Sequence, residues 1–594
     1  MTSLEPLFSG LISFGYFLVV LGLAVIIHEW GHFIVAKLCG AKVERFAVGF
    51  GKALFTYKWH NTEYALCALP LGGYVKITGM DPEDELTGAD WEYLQLSPWK
   101  RMAIVVAGPL MNFVLAFLLY IFILGWFGEA YTATTTVGHV PKGSWGWELG
   151  LRDGDRILAV NERPVTSWDE ISEFQRNFDT TRLSVKIERD GAQLTKAKDI
   201  PPGFWDALEG VEAPEFEQGI LVTRILPNTP AEASGLKPGW VVTEVDGQTF
   251  GSLDQWTDYL STRFETADDG TFNQITISLN AFDAQGEKHQ IDITPEILVP
   301  SEDALPFEPV ARLGAVFQGE ISLEDYLTPS TGLIGVAPKL PPVIGTAQEG
   351  SPASLAGLES GSRIVEIDGE AIDDWTDVLL TIQSSLQTAD DGTVTAKPLD
   401  ITWLTPDEVM QTKSITPTVR KTPILTPSSI KTGKEYNIAQ IGVDLQHDRR
   451  RMGVIGAVSE GWNRTINVST MILDFIGKLF TGGVSPKLMG GPIAIFQMSG
   501  ESGRWGLEKF LGFIAMLSAN LGILNLFPMP PFDGGHIMFY LYEVVRRKPI
   551  TLRQMENFGK IGFILVMPLL LFLVFNDLSR INFFSWIAGL LGLS

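Results

Sequence analysis

The chain has 594 residues, of which 45% are hydrophobic and only 19% are charged, so its composition leans toward a membrane protein. This length exceeds what one hydrophobic core supports and predicts several domains. A formal net charge of −24 excludes a general nucleic-acid-binding surface, and two cysteines are too few for a disulfide framework.

The negative charge is concentrated in the middle of the chain. Residues 127–450 contain 51 acidic and 25 basic residues, so the two ends of the chain are close to neutral. We expect the acidic segment to be a water-facing block that is inserted between membrane-associated ends.

Four apolar runs predict four transmembrane helices, since about 20 uncharged residues are needed to cross a bilayer. The runs cover residues 7–27, 102–127, 510–532 and 561–575. The fold class predicted is therefore a multi-pass α-helical membrane protein with four transmembrane helices and inserted extracytoplasmic, mainly β, domains.

The loops predict the orientation, because short loops rich in Lys and Arg stay in the cytoplasm. Segments 37–101 and 546–560 carry most of the basic residues near the spans. Both segments are expected on the cytoplasmic side, which places the acidic block outside, in the periplasm of a bacterium with an outer membrane.

The first apolar run leads into the motif His28-Glu29-Trp-Gly-His32. Histidines at i and i+4 share one helical face, about 6 Å apart along the axis, and can converge on one ion. The glutamate between them can reach a metal-bound water, as in zinc metalloproteases. The alternative is a polar cap on a membrane helix, but ionisable groups beside a span are costly and usually functional.

A catalytic zinc needs a third protein ligand and an open position for water. We predict Asp533, at the end of the third span, because spans one and three run in the same direction and end on the same side. His536 is a competing ligand, and a turn or helix-capping role is the alternative for Asp533.

Prolines at 528, 530 and 531 stop the third helix and leave unpaired carbonyl groups. Such backbone is tolerated at membrane depth only where it lines a cavity or packs in protein. Asn525, one turn earlier, can bind a peptide backbone or a developing oxyanion, or equally a neighbouring helix. Asn112 is expected to serve mainly in helix packing.

Together these motifs resemble the site-2 protease family of intramembrane zinc metalloproteases, and in particular the bacterial regulator-of-sigma-E proteases. The resembling segments, in family order, are residues 28–32, 71–76, 108–112, 491–495 and 525–535. The resemblance implies Glu29 as the general base. It assigns zinc binding to three residues, His28, His32 and Asp533. It assigns substrate binding to the segment that contains Asn525, Pro528 and Pro530.

The same resemblance implies the cofactor, partners and location. The cofactor is Zn²⁺, and the substrate is a single-pass transmembrane helix already trimmed of its outer domain, such as an anti-sigma factor or a remnant signal peptide. The protein is expected in the bacterial inner membrane, surrounded by lipid, with its active site toward the cytoplasm and no nucleic-acid partner.

The acidic block contains three similar stretches, at residues 150–161, 235–247 and 357–369. Each has a Gly-Leu pair, a turn, a β run and an Asn or Asp turn, which resembles the core of bacterial PDZ domains. PDZ domains add an extended peptide to a sheet edge, so peptide or protein ligands and substrate filtering are expected. The alternative is that the third copy is only a spacer.

Two further segments are predicted to lie at the membrane. Residues 43–77 predict a β-hairpin, which is either soluble in the cytoplasm or, by the resemblance, dips into the membrane and pairs with substrate. Residues 455–480 predict an amphipathic helix on the outer surface.

In chain order we predict transmembrane helix 1 with the His-Glu-x-x-His motif (1–40), a cytoplasmic-side loop with the hairpin (41–100), transmembrane helix 2 (101–128), PDZ 1 (131–203), PDZ 2 (218–297), a spacer (298–337), PDZ 3 (338–446), the amphipathic helix and a loop (455–505), transmembrane helix 3 with the third ligand (508–535), transmembrane helix 4 (557–578) and an interfacial tail (581–594).

The alternative function is a non-enzymatic PDZ membrane scaffold with a structural zinc. A closed structural site would need a fourth protein ligand, for which Cys39 and Cys67 are the candidates. A soluble zincin is a weaker alternative, since its motif helix would not follow 21 apolar residues.

Overall fold

The structure is a computed structural model, and its chain forms two compact units. The first unit, called here the membrane unit, comprises Met1–Glu129 and Arg449–Ser594, and the second, the inserted unit, comprises Ala130–Asp448. The residues that the structure describes are 5–80, 87–140, 145–171, 182–199, 220–225, 229–237, 240–249, 259, 264–266, 272–283, 287–298, 310–312, 315–317, 337–389, 393–423, 435–481, 484–548, 552–581 and 583.

The described part of the membrane unit contains seven α-helices. In chain order they are α1 (Glu5–Leu38), α2 (Pro98–Trp126), α3 (Val454–Thr481), α4 (Pro492–Arg504), α5 (Leu507–Asn525), α6 (Asp533–Arg546) and α7 (Leu552–Arg580), with 3-10 turns at Tyr93–Gln95 and Pro486–Leu488. Within the described ranges, four of them are long and apolar enough to cross a membrane, which confirms the predicted number of spans: Gly10–Leu38, Pro98–Trp126, Leu507–Asn525 and Asn557–Arg580.

Helix α1 ends at Leu38, within the predicted segment 1–40, so the whole histidine motif lies inside the helix. One helix boundary differs from the prediction. The predicted third span of residues 508–535 is a helix, a turn and the start of a second helix, because the prolines after Asn525 cannot donate the backbone hydrogen bonds that continue α5. The new helix begins at Asp533, where a negative charge is favourable at a helix N-terminus.

Small residues let α1, α2 and α5 approach one another closely. A Cβ on Gly31 of α1 would overlap the carbonyl oxygen of Ala107 in α2. Farther along α2, Ala116 is fully buried together with Ala515 and Ala519 of α5. Close backbone approach through small residues is the usual packing of helices in lipid.

A long hairpin connects α1 and α2. Its strands are β1 (Val43–Trp59) and β2 (Thr62–Ile77). The first part of β1 pairs with residues 73–77 and also with residues 63–66, while its second part pairs with residues 62–67. The hairpin is therefore folded into a small curled sheet, with its register shifted near Gly49 and Gly51, which have positive φ.

The inserted unit contains three copies of one topology. Each copy has a short helix followed by three antiparallel strands, of which the second pairs with the first and the third. The copies are Trp145–Leu149 with Arg156–Val160, Arg182–Arg189 and Ala192–Asp199; Pro230–Ala233 with Val241–Val245, Ile277–Phe282 and Lys288–Ile293; and Pro352–Ala356 with Arg363–Ile367, Leu399–Leu404 and Met410–Ile415.

Equivalent residues perform equivalent structural tasks in the three copies. After each short helix the chain turns at a glycine with positive φ, a conformation that ends helices: Gly150, Gly235 and Gly357. At the end of each first strand, an Asn or Asp with positive φ accepts a hydrogen bond from the backbone N–H of the second strand at 2.7 to 2.8 Å: Asn161, Asp246 and Asp368. The sequence repeat is therefore a structural repeat.

The third copy is not a mere spacer, because it has a hydrophobic core of its own around the fully buried Trp403. The region predicted as a spacer, 298–337, also differs from that description where it is described. Strand Val310–Arg312 pairs with Glu296–Leu298, and Ala315–Phe317 pairs with Ile220–Ile225 in the sheet of the second copy. Residues 315–317 thus extend the second domain.

The remaining described strands of the inserted unit are short. They are Val137–His139, Arg163–Pro164, Phe264–Thr266, Phe272–Gln274, Ala337–Pro338, Ile344–Ala347, Glu370–Ala371, Leu386–Thr388, Val394–Ala396, Thr418–Pro423, Glu435–Gln440 and Val443–Leu445, with Glu129–Tyr131 and Asp448–Arg450 at the unit boundaries and the further helix Trp375–Gln383. Nearly all of the tail predicted at residues 581–594 lies outside the described residues.

Candidate active site

Two imidazoles meet on one face of α1. His28 and His32 are one turn apart, and their Nε2 atoms are 3.1 Å from each other. The rings are nearly perpendicular, with centroids 4.8 Å apart. His32 Nδ1 lies 2.8 Å from the carbonyl oxygen of Ile104 in α2, and donation to that carbonyl leaves the Nε2 lone pair free.

The first residue of α6 completes the cluster. Asp533 Oδ2 lies 3.1 Å from His28 Nε2 and 3.5 Å from His32 Nε2, and its side chain is 21% exposed. Burial raises the pKa of Asp533, but the two histidines outweigh this influence and hold that pKa below its usual value. The side chain is therefore an anionic carboxylate at neutral pH. The structure brings together the three residues that the sequence analysis selected as ligands.

The donor set fits a divalent metal ion. Three ligand atoms of His28, His32 and Asp533 lie within 4.8 Å of one another. Asp533 Oδ2 is buried and receives no geometrically good hydrogen bond from a described residue. Lone pairs of two imidazoles and a carboxylate at such distances repel unless a cation lies between them. Two histidines and one carboxylate are a usual protein ligand set for catalytic zinc, which leaves a position open.

The competing ligands are not in this cluster. Among the described residues, neither His536, Cys39 nor Cys67 belongs to the group of converging ligand atoms. His536 follows Asp533 by nearly one turn of α6, and its buried Nδ1 has no hydrogen-bond partner in the described part of the chain. Burial lowers the pKa of His536, which favours a neutral ring.

Glu29 lies between the histidine pair and the hairpin. Its carboxylate interacts electrostatically with His28, His32 and Asp533. A Cβ on Gly73 of β2 would stand 3.4 Å from Glu29 Cγ, so the hairpin backbone closely approaches this side chain. The Glu29 carboxylate, which can accept a proton, therefore lies next to the three ligand side chains, on the side where β2 passes.

Helix α2 supports the histidines at two points. Gly108 faces both imidazoles, since a Cβ there would overlap His32 Nε2 and stand 2.8 Å from His28 Nε2. Asn112, one turn later, places its amide 3.3 Å from His28 Nδ1, and its backbone carbonyl accepts a hydrogen bond of 2.9 Å from Ser518 in α5. Asn112 therefore contacts His28 as well as packing helices, and the sequence analysis did not predict this contact.

Changing Gly108 to alanine is expected to weaken metal binding and activity by about tenfold or more, the size of effect seen when the support of a ligand is disturbed. Alanine favours a helix over glycine, so the loss cannot come from a weaker helix. Gly125→Ala on the same helix is the control, because a Cβ there meets nothing within 4 Å. The metal affinity of both variants is measured by titration. Wild-type affinity in Gly108→Ala would contradict the close contact between Gly108 and the two imidazoles.

The predicted substrate-binding segment follows α5. Asn525 places its amide 3.5 Å from His28 Nδ1. Pro528 is exposed, whereas Pro530 is half-buried and packs against other elements. A Cβ on Gly535 of α6 or on Gly562 of α7 would overlap the backbone of Pro530. The role of these three residues toward substrate stays a prediction.

The fold and this donor set define a class: a multi-pass membrane metallopeptidase. The profile of peptidase family M50 matches residues 16–569. The chain therefore belongs to peptidase family M50 and is a membrane metalloprotease.

Full-length relatives agree with this assignment. A Neisseria meningitidis protein named as a zinc metalloprotease is 29% identical over 585 residues, which cover 95% of this chain and 98% of that protein. The regulator of sigma E protease of Salmonella typhi is 27% identical, with 95% of this chain and 98% of the relative covered. The regulator of sigma-E protease RseP of Escherichia coli K12 is also 27% identical, with the same coverage.

A PDZ domain protein of Parabacteroides distasonis is matched over 53% of this chain and 95% of that chain, at 10% identity and a TM-score of 0.10. This score is too low to establish a shared fold.

Proposed function

We propose that this metalloprotease uses zinc to cut single-pass transmembrane helices, with anti-sigma factors and remnant signal peptides as the substrate classes. The observation that carries the proposal is the cluster of His28 and His32, inside the apolar helix α1, with Asp533, the first residue of α6. Glu29 lies beside this cluster. His28 Nε2, His32 Nε2 and Asp533 Oδ2 would hold the ion.

A zinc ion held by these residues would supply Lewis-acid chemistry, which lowers the pKa of a bound water to about 7 and polarises a carbonyl. Glu29 then accepts the proton of the attacking water and returns it to the leaving amine. Asn525, whose amide lies 3.5 Å from His28 Nδ1, would hold the substrate backbone. The scissile helix must be extended before attack, and the nearby backbone of β2 offers an edge for it.

The location follows from the charge distribution. The basic residues near the spans support a proposed orientation in a bacterial inner membrane, with the active site toward the cytoplasm. The acidic inserted unit then faces the periplasm. We propose that its three repeats are PDZ modules that bind peptides and filter substrates by the size of their outer portion.

The filter is testable by deletion. The two ends of the insertion leave the membrane unit side by side, since Arg449 donates a 3.2 Å hydrogen bond to the carbonyl of Phe127 and Arg450 pairs with Glu129 at 2.6 Å. Residues 131–446 can therefore be replaced by a short linker. Full-length and deleted enzymes, at equal membrane levels, are compared on a trimmed helix and on the same helix with a folded outer domain.

We expect the full-length enzyme to cut only the trimmed helix and the deleted enzyme to cut both. Failure of the full-length enzyme on the trimmed helix would contradict the proposed function. Rejection of the untrimmed substrate by a deleted enzyme that still cuts the trimmed helix would contradict the filter alone.

A further inference from the structure

The region of α2 and the 3-10 turn before it is joined to α6 by four side chains that contribute no atom to the group of His28, His32 and Asp533. They are Tyr93, Arg101, Tyr540 and Glu543, called here the α2–α6 network. Arg101 Nη2 lies 2.8 Å from Glu543 Oε1, and the two side chains are only 8% and 11% exposed. The Tyr93 hydroxyl donates a 3.0 Å hydrogen bond to the Tyr540 hydroxyl.

The network is held in one geometry by further contacts. Arg101 Nε donates a 3.1 Å hydrogen bond to the carbonyl of Leu96, and its guanidinium lies 5.0 Å from the centre of the Tyr540 ring. Burial raises the pKa of Tyr93 and of Tyr540, so both hydroxyls stay protonated. Each of the four side chains thus has a defined polar partner.

A buried ion pair is a poor means of adding stability, because desolvating two charges offsets most of their attraction. Apolar side chains of similar volume would hold two helices together as well. What a buried, hydrogen-bonded ion pair can add is a fixed relative position of the two helices that carry it.

The network joins the helix that supports the histidines to the helix that carries the carboxylate. On α2, Arg101 lies three residues before Ile104, and the carbonyl of Ile104 contacts His32 Nδ1. Gly108, which faces both imidazoles, lies one turn after Ile104. Along α6, Tyr540 follows Asp533 by seven residues, which is two turns, so both lie on one face about 10 Å apart along the axis.

We propose that Arg101, together with Glu543, Tyr93 and Tyr540, is a positioning residue that sets the distance of Asp533 from the two histidines. It acts through the relative position of α2 and α6 and touches neither substrate nor metal. The inference rests on the proposed role of Asp533 as a ligand.

The test needs variants that still fold but no longer hold α2 and α6 in this relative position. The double variant Arg101→Met with Glu543→Leu replaces the ion pair by apolar side chains and leaves no unpaired buried charge. Tyr540→Phe removes one hydroxyl and keeps the ring. The control is Arg546→Gln, which removes an exposed arginine of the same helix that contacts a tyrosine, Tyr542.

Each purified variant is titrated with cobalt(II), whose visible spectrum reports ligand geometry, and then assayed with zinc. We expect the double variant to keep its thermal midpoint, to bind cobalt about ten- to a hundredfold more weakly and to show an altered spectrum. Its kcat should fall while KM stays unchanged. Tyr540→Phe should shift in the same direction by less, and Arg546→Gln should match the wild type.

Wild-type cobalt affinity and spectrum in the double variant would overturn the inference. If that variant does not fold, unchanged cobalt binding in Tyr540→Phe would overturn it. Asp533→Ala separates this failure from failure of the ligand assignment. If Asp533→Ala weakens cobalt binding but the network variants do not, the positioning role alone is wrong. If Asp533→Ala also binds cobalt normally, the ligand assignment is wrong.

Discussion

Replacing Glu29 with glutamine is expected to abolish peptide cleavage while the metal stays bound. Glutamine has nearly the same size but cannot accept the proton of the attacking water. A positioned general base contributes about 10²- to 10⁴-fold to the rate, so the variant should fall by at least that range. Metal content and turnover must be measured on the same purified sample, because the interpretation depends on their separation.

The control for this change is Glu460→Gln, which removes a carboxylate from the partly exposed pair with Arg464 in α3. Such a surface pair contributes little to stability, so its activity should equal that of the wild type. Turnover near the wild-type value in Glu29→Gln would mean that another group accepts the proton.

Removing Asp533, the proposed third ligand, should affect the metal as well as the reaction. In Asp533→Ala the histidine pair loses the carboxylate oxygen that lies 3.1 Å from His28 Nε2. We expect zinc affinity to fall more than about 100-fold, beyond the effect of losing an outer partner, and cleavage to reach background. Asp533→Asn keeps an oxygen donor without the charge and should retain part of the affinity.

Asp474→Ala is the matched control, since Asp474 is an exposed residue of α3 that pairs with Lys478. A competitive chelator assay in detergent gives the affinities. If Asp533→Ala binds zinc as tightly as the wild type, Asp533 has a turn role and His536 becomes the candidate third ligand.

The part of the site that depends on local spacing is predictable from the sequence. His28 and His32 share a face because a helix repeats every 3.6 residues, whatever surrounds it. Asp533 is about 500 residues away, and it was predicted from the direction of the spans and from its motif. Gly108 and Asn112 lie within a recognised motif, but their contacts with the imidazoles depend on how closely α1 approaches α2. Spacing along one helix does not contain that information.

The fold shows the same limit. Apolar runs predicted the four spans, and the Gly-Leu and Asx turns predicted three repeats, since both signals are local. The prolines indicated that the third helix stops, but not that Asp533 would begin a new helix. The strand at residues 315–317 joins a sheet whose partner strand starts about 95 residues earlier. Such pairing is nonlocal, and the segment that was predicted as a spacer gave no sign of it.

The most direct test of the account maps where purified full-length enzyme cuts a labelled single-helix substrate, by mass spectrometry, before and after zinc removal. The account predicts one cut inside the apolar span, lost on chelation and restored by zinc. Cuts confined to the soluble flanks, or cleavage that persists undiminished in the metal-free enzyme, would contradict it.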